Sequence, residues 1–512
     1  MKTLLLSAAA VTLLAACAAS PEPNAACPAP SLTASPLIVG DGALDRGFPG
    51  GVSLADVDGD GDLDLMATGG YSPVTRPLSY RRNVLYLNDG GGTFTHANDP
   101  AWETADNPFS GSAWGDADGD GDLDAFISTQ HRRPDVFYRN LGGGRFAREA
   151  LSAATETQGS NFSSTWADID QDGDLDLSSG GPTLELAATL QHYRNDDGRF
   201  VRVEGLPIDN GASNPGAIIW ADFDNDGDPD LFAANSNILR LNDIDPAEHE
   251  SPQLYRNDGG WRFERIEGQG FSDIAYASAA AAAGDIDNDG DLDIYLGMYR
   301  GADHIFLNDG AGRFSRDARF VAPVHEQWAT SAAFADFDGD GDLDLLSAGY
   351  QAGIALWVND GTGAFTIGDA ALLSRTSTYS GAATGDIDGD GDLDAVVGNW
   401  GETTEGDYIT LLRNEGVSCG RPLRLDLRDR NGAPDPIGAR VTLVLRQYGS
   451  ERLHVREASG QSGLRSQSGS HFLFSVPAGA RVVSGEIRWP DGERQAISGL
   501  RAGESRTIRQ GG

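Results

Sequence analysis

Asp56-Val57-Asp58-Gly59-Asp60-Gly61-Asp62-Leu63-Asp64 is the first of seven stretches sharing one pattern, Asp-x-Asp-x-Asp-Gly-Asp-x-Asp, and no copy lacks an aspartate. The others place aspartates at Asp116, Asp118, Asp120, Asp122 and Asp124; Asp168, Asp170, Asp172, Asp174 and Asp176; Asp222, Asp224, Asp226, Asp228 and Asp230. They continue at Asp285, Asp287, Asp289, Asp291 and Asp293; Asp336, Asp338, Asp340, Asp342 and Asp344; and Asp386, Asp388, Asp390, Asp392 and Asp394. Carboxylates crowded this closely repel one another unless a hard cation sits among them, and an all-oxygen donor set without Cys or His points to calcium. Positions 1, 3, 5 and 9 can turn carboxylates inward, position 7 can lend its main-chain carbonyl, and Gly at position 6 permits the sharp turn around the ion. In the first copy the ligands would be Asp56, Asp58, Asp60, the carbonyl of Asp62, and Asp64. Up to seven structural Ca²⁺ ions are expected. The plainer alternative, an acidic loop that only aids solubility, sits poorly with sevenfold repetition at constant internal spacing.

An EF-hand would need Glu at position 12 and a helix on each side. Position 12 of the first copy is Ala67, and the flanks, such as residues 63–66 and 343–346, are short apolar runs that read as strands. Successive copies begin 60, 52, 54, 63, 51 and 50 residues apart, room for four short strands each. The second half of the repeat is also recognisable: residues 83–94 run NVLYLNDGGGTF, 252–263 PQLYRNDGGWRF and 303–314 DHIFLNDGAGRF. Asn-Asp-Gly between apolar strands signals a hairpin. A four-stranded sheet cannot bury both faces alone, whereas radial stacking covers them. The expected fold is all-β: a seven-bladed calcium-binding β-propeller over residues 37–416, followed by a small C-terminal β domain over 420–511.

The last repeat lacks an outer strand after Glu415-Gly416, and a spare extended segment, residues 32–39, precedes the first loop. Pairing the two would close the ring and bring Cys27 near Cys419. A disulfide between these cysteines is the expectation, with two unpaired thiols as the alternative.

The formal charge is 38 − 77 = −39, and the seven loops contribute 7 × 5 = 35 aspartates. Seven bound Ca²⁺ would leave about −25, so nucleic acid and anionic membrane surfaces are poor partners. Lysine occurs once, at Lys2, which excludes Schiff-base and P-loop lysine chemistry once a leader is removed. Residues 1–17 have the composition of a secretory leader, and Leu14-Ala15-Ala16-Cys17 resembles the lipobox of bacterial lipoproteins. That resemblance implies export, a lipid on Cys17, an outer-membrane lipoprotein facing periplasm or surface, and membrane contact only through the anchor. Simple cleavage with a free product is the alternative. Residues 18–36, with five prolines, read as an extended tether.

Variable inserts at residues 71–82, 237–251 and 400–407 are candidate partner surfaces for a protein or glycan ligand, or merely tolerated loop length. Trp114, Trp166 and Trp220, each two residues before a loop, read as packing between blades rather than as an aromatic binding box.

The blades resemble the FG-GAP or VCBS repeats of integrin α-subunits and bacterial surface proteins. The tail resembles the ASPIC/UnbV domain through Ile437-Gly438-Ala439-Arg440-Val441, Ser466-Gln467-Ser468 and Arg488-Trp489-Pro490-Asp491-Gly492; Phe474-Ser475-Val476-Pro477 departs from its common Phe-Gly-Leu-Gly. The combination is similar to cartilage acidic protein and its bacterial relatives, and implies an extracellular, calcium-stabilised binding or adhesion module. A polysaccharide-active lyase or hydrolase on the same scaffold is the alternative. No His-Glu-x-x-His occurs, and the one Gly-x-Ser-x-Gly match, Gly416-Val417-Ser418-Cys419-Gly420, lies in an interdomain connection without a nucleophile elbow. No catalytic residue is assigned.

Overall fold

The computed structural model describes residues 27, 30–37, 49–70, 82–102, 108–156, 158–159, 161–181, 190–210, 215–235, 251–274, 278–322, 325–350, 353–368, 372, 378–399, 409–416, 418–461, 463, 465–469 and 472–512. Residues 1–17, where the leader and the lipid-bearing Cys17 are expected, most of residues 18–36, residues 38–39 and nearly all of the three inserts lie outside them.

Each Asp pattern connects the first and second strands of a four-stranded antiparallel unit. In the first unit the strands are Pro49–Ala55, Asp64–Gly69, Val84–Asn88 and Phe94–His96. The first two are buried throughout, while in the outermost only Phe94 is buried. This gradient runs from the axis to the rim, as expected when apolar strands are covered on both faces by neighbouring sheets. Among the described residues seven such units follow one another, the fifth and sixth joined into one eight-stranded sheet. In every unit the second strand begins at position 9 of the pattern: Asp64, Asp124, Asp176, Asp230, Asp293, Asp344 and Asp394.

The units form a closed β-propeller. Seven apolar cores each lie between two neighbours; one joins Val57 and Trp114 of units one and two, and another joins Leu54 to Ala383 and Val396 of unit seven. The seventh sheet is completed by Leu32–Pro36, antiparallel to Ile409–Asn414 with Leu32 opposite Asn414. Cys27 and Cys419 are disulfide-bonded, with Cα atoms 5.8 Å apart. The indole N–H of Trp114 donates to Ser53 Oγ at 2.9 Å, that of Trp166 to Ala113 O at 3.2 Å, and that of Trp220 to Ser178 Oγ at 3.1 Å, each in the preceding unit.

An asparagine closing each third strand latches the ring. Asn140 Nδ2 donates to Val57 O of the preceding unit at 2.8 Å, Asn195 to Ala117 O at 3.0 Å, and Asn257 to Ile169 O at 2.8 Å. Asn308, Asn359 and Asn414 do the same to Phe223, Ile286 and Phe337 at 2.7 Å each, and Asn88 reaches Ile387 O of unit seven at 2.8 Å. These residues read as turn formers in the sequence. Their constancy through Asn140-Leu141-Gly142, Asn195-Asp196-Asp197 and Asn414-Glu415-Gly416, where the turn itself varies, is the signal of a second duty.

The tail is a sandwich of two sheets. One holds Phe472–Pro477, Gly420–Arg428 and Ser505–Arg509; the other Ser450–Glu457, Arg440–Gln447, Arg481–Arg488 and Arg494–Ile497. Leu423, Leu425, Leu443, Phe474 and Trp489 fill its core. Read from composition it is a separate domain; in the structure it is docked. The connection after Ser450–Glu457 enters the propeller channel, where Leu54 N donates to Gln467 O at 3.0 Å and Trp114 N to Gln467 Oε1 at 2.7 Å. Gly469 N donates to Thr384 O at 3.0 Å, and Gln461 Nε2 to Ser163 Oγ. The Arg465 guanidinium lies 4.4 Å from the Phe162 ring centre. A Cβ on Gly51 would collide with Arg465, and one on Gly381 with Ser466, which explains glycine in otherwise apolar inner strands.

Candidate metal centres

Because each second strand starts at position 9, that aspartate is carried to the inner end of its loop and buried, with 0–2 % exposure in all seven copies. Its carboxylate accepts two main-chain N–H groups. In the first loop they come from Val57 at 3.0 Å and Asn88 at 2.9 Å, and in the fifth from Ile286 at 3.1 Å and Asn308 at 2.8 Å. The other five copies repeat this pair of bonds. The residue that donates at position 2 also offers the carbonyl that the asparagine latch grips, so the acidic loop and the seam between units share one residue.

Positions 1, 3 and 9 converge. Ligand oxygens of Asp56, Asp58 and Asp64 lie within 4.8 Å of one another, as do those of Asp116, Asp118 and Asp124, of Asp168, Asp170 and Asp176, and of Asp222, Asp224 and Asp230. Position 5 also braces the turn, although in the sixth loop a ligand oxygen of Asp340 lies within the same distance of one of Asp338. Asp60 accepts the N–H of Asp62 at 3.0 Å, and Asp120, Asp172, Asp226, Asp289, Asp340 and Asp390 do the same for their position-7 residues, bracing the turn. Position-7 side chains turn toward the Asn-x-Gly hairpin, and Cβ atoms at Gly90, Gly310 and Gly361 would collide with Asp62, Asp291 and Asp342. Position 6 is glycine throughout because φ there is 95–109°, beyond the left-handed well that Asn or Gln can enter.

Two features fit a cation. Eight buried carboxylate oxygens in these loops, on Asp170, Asp222, Asp285, Asp287, Asp336, Asp386, Asp388 and Asp392, have no hydrogen-bond partner. Buried carboxylates are as a rule paired or hydrogen-bonded, and among the described residues every bare buried carboxylate oxygen except that of Glu457 lies in these loops, as fits sites that could hold a metal. Burial also pushes the position-9 carboxyls far up, Asp64 and Asp124 to about 8 and Asp176, Asp230 and Asp293 to about 9. Asp116 rises to about 6, and Asp168, Asp285 and Asp336 to about 7, again chiefly by burial.

These shifts give the metal-free protein an inverted pH profile. Unfolded aspartates ionise near the ordinary 3.8, whereas the folded ones hold their protons to about 9. Between those limits the native state binds more protons, so its stability falls as pH rises. Urea unfolding of chelated protein should show greater stability at pH 5 than at pH 8, and millimolar calcium should reverse the order. A metal-free protein more stable at pH 8 would contradict the assignment.

The tail supplies the remaining counter-charge. Residues 420–512 carry 15 Arg against 9 Asp and Glu, a net +6, so the rest of the chain carries −45. Arg428 lies 3.5 Å from Asp56, Arg424 Nη2 donates to Gly61 O at 2.7 Å, and Arg456 Nη2 to Gly341 O at 3.3 Å. At the fourth loop Arg488 contacts Asp222, and Glu457 stands 3.6–3.7 Å from Arg488 and Arg440. Composition shows the arginines of the tail, but not that they face the loops.

The FG-GAP-like repeat family matches residues 56–127, 116–178, 184–233, 244–296, 285–347 and 336–397. The ASPIC and UnbV family matches residues 429–512. No curated protein matches the chain. Among solved structures, one on specific recognition of non-reducing terminal N-acetylglucosamine by an Agrocybe aegerita protein is 19% identical, with a TM-score of 0.43 over 63% of this chain and 80% of that one. YCF48 bound to D1 peptide is 10% identical, with a TM-score of 0.42 over 76% of this chain and 99% of that one. Four of the six repeat matches begin on the first aspartate of a loop, so the chain belongs to the FG-GAP-like repeat proteins and ends in an ASPIC and UnbV domain.

Proposed function

We propose that the protein is a calcium-stabilised binding or adhesion module held at the bacterial cell envelope by a lipid on Cys17, with a protein or glycan ligand at the cell surface. One observation carries the binding reading: the tail covers the loop end of the propeller and fills its channel. Ligand contact then falls to the opposite end, where the second strands finish and the third begin. The long inserts at 71–82, 237–251 and 400–407 join those strands, and segments that vary on a rigid scaffold are where recognition concentrates. The bare loop carboxylates support calcium as the structural cofactor.

The test is to incubate the full mature chain with a panel of envelope polysaccharides and immobilised envelope proteins, with calcium or with EGTA. Retention, reducing ends and unsaturated uronates would be assayed together. Calcium-dependent retention without turnover is expected. Release of new reducing ends would replace this reading with the enzyme, and no retention on either class would overturn it.

A further inference from the structure

Three of the seven loops reach across to the next one. Position 4 is Gly59, Gly119, Gly339 and Gly389 in loops one, two, six and seven, but Gln171, Asn225 and Asn288 in loops three, four and five. All seven are left-handed, with φ of 71–79° at the glycines and 60–62° at the amides. Glycine accepts that conformation freely, and Asn and Gln enter it at a small cost while adding an amide that can reach the neighbouring loop. Each does reach it. Gln171 Nε2 donates to Gly227 O, at position 6 of loop four, at 2.6 Å. Asn225 Nδ2 donates at 2.7 Å to Oδ1 of Asp291, at position 7 of loop five, and at 3.3 Å to Gly310 O. Asn288 Nδ2 donates at 2.7 Å to Oδ1 of Asp342, at position 7 of loop six, and at 3.4 Å to Gly361 O.

From these contacts we infer that Gln171, Asn225 and Asn288 are positioning residues that couple cation binding along loops three to six, an inference that rests on the calcium reading above. Position 4 joins the converging aspartate at position 3 to the turn-bracing aspartate at position 5, so an ion that closes the loop also orients the amide. Asn225 and Asn288 hold the side chain of the neighbour's position-7 residue, whose main-chain carbonyl the pattern assigns to the next ion, and Gln171 holds the main-chain carbonyl of Gly227 just before that residue. Filling one loop therefore pre-orders the next. Loops one, two and seven, with glycine at this position, bind independently.

Competition with a chromophoric chelator on the full chain tests this, comparing wild type with Asn225→Gly/Asn288→Gly. Glycine is the chain's own residue at this position elsewhere, and melting in excess calcium verifies the fold. The variant should bind the same number of ions with a shallower isotherm, and the half-saturation of the coupled sites should rise about fivefold or more. Superimposable isotherms would overturn the coupling alone. A wild-type chain that takes up no calcium would overturn the calcium reading and the coupling together.

Discussion

Stripping the metal should lower the melting temperature by tens of degrees, and added calcium should restore it. If each loop binds with a Kd of about 10⁻⁴ M, then about 1 mM Ca²⁺ stabilises each by about 1.4 kcal/mol, or about 10 kcal/mol for seven independent sites. That rivals the ~5–15 kcal/mol stability of a whole domain. The seams between units amplify the effect, because the position-2 residue is bonded through its N–H to the position-9 carboxylate and through its carbonyl to the neighbouring unit's asparagine. An empty loop loosens the joint as well as itself. Scanning calorimetry with excess EGTA, alongside elemental analysis of the purified protein, would check this. An unchanged melting curve after verified metal removal would sink it.

Replacing one position-9 aspartate should cost far more than replacing a position-5 aspartate of the same loop. Asp293 is 1% exposed and accepts the N–H groups of Ile286 and Asn308. Asp293→Ala leaves both donors buried without a partner, at about 1–3 kcal/mol each, and removes a convergent ligand. With the ion's contribution lost, about 4–7 kcal/mol is expected. Asp289 is exposed and its bond to Asp291 N closes a turn that water can also satisfy. Asp289→Ala should cost about 1–2 kcal/mol. Guanidinium unfolding in saturating calcium measures both, and equal losses would show that the five aspartates are interchangeable after all.

In sequence the aspartates at positions 1, 3, 5 and 9 read alike as carboxylate ligands, with position 7 lending a carbonyl, and the structure ranks them further. Positions 1, 3 and 9 converge, position 5 braces the turn and position 7 packs on the next hairpin. The ranking depends on which residue the second strand carries inward, and Asp64 lies in that strand while Asp60 does not. Trp114, Trp166 and Trp220 could be assigned to packing because their place before each loop recurs. The pairing of residues 32–36 with the seventh unit could be anticipated because one sheet lacked a strand and one segment lacked a sheet.

The chain alone determined the repeat, its loops, the positions of most strands and the acidic clusters that could hold a cation, since these are local properties written seven times over. Only the tertiary structure decided where the asparagine latches point, that the arginines of the tail face the acidic loops, and that Gln461 and residues 465–469 of the Ser- and Gly-rich connection enter the channel. That segment has no apolar period, and its Ser466-Gln467-Ser468 matches the tail family's pattern without saying where it packs. Its partners are main-chain groups of distant inner strands, which come together only when the ring has closed around it.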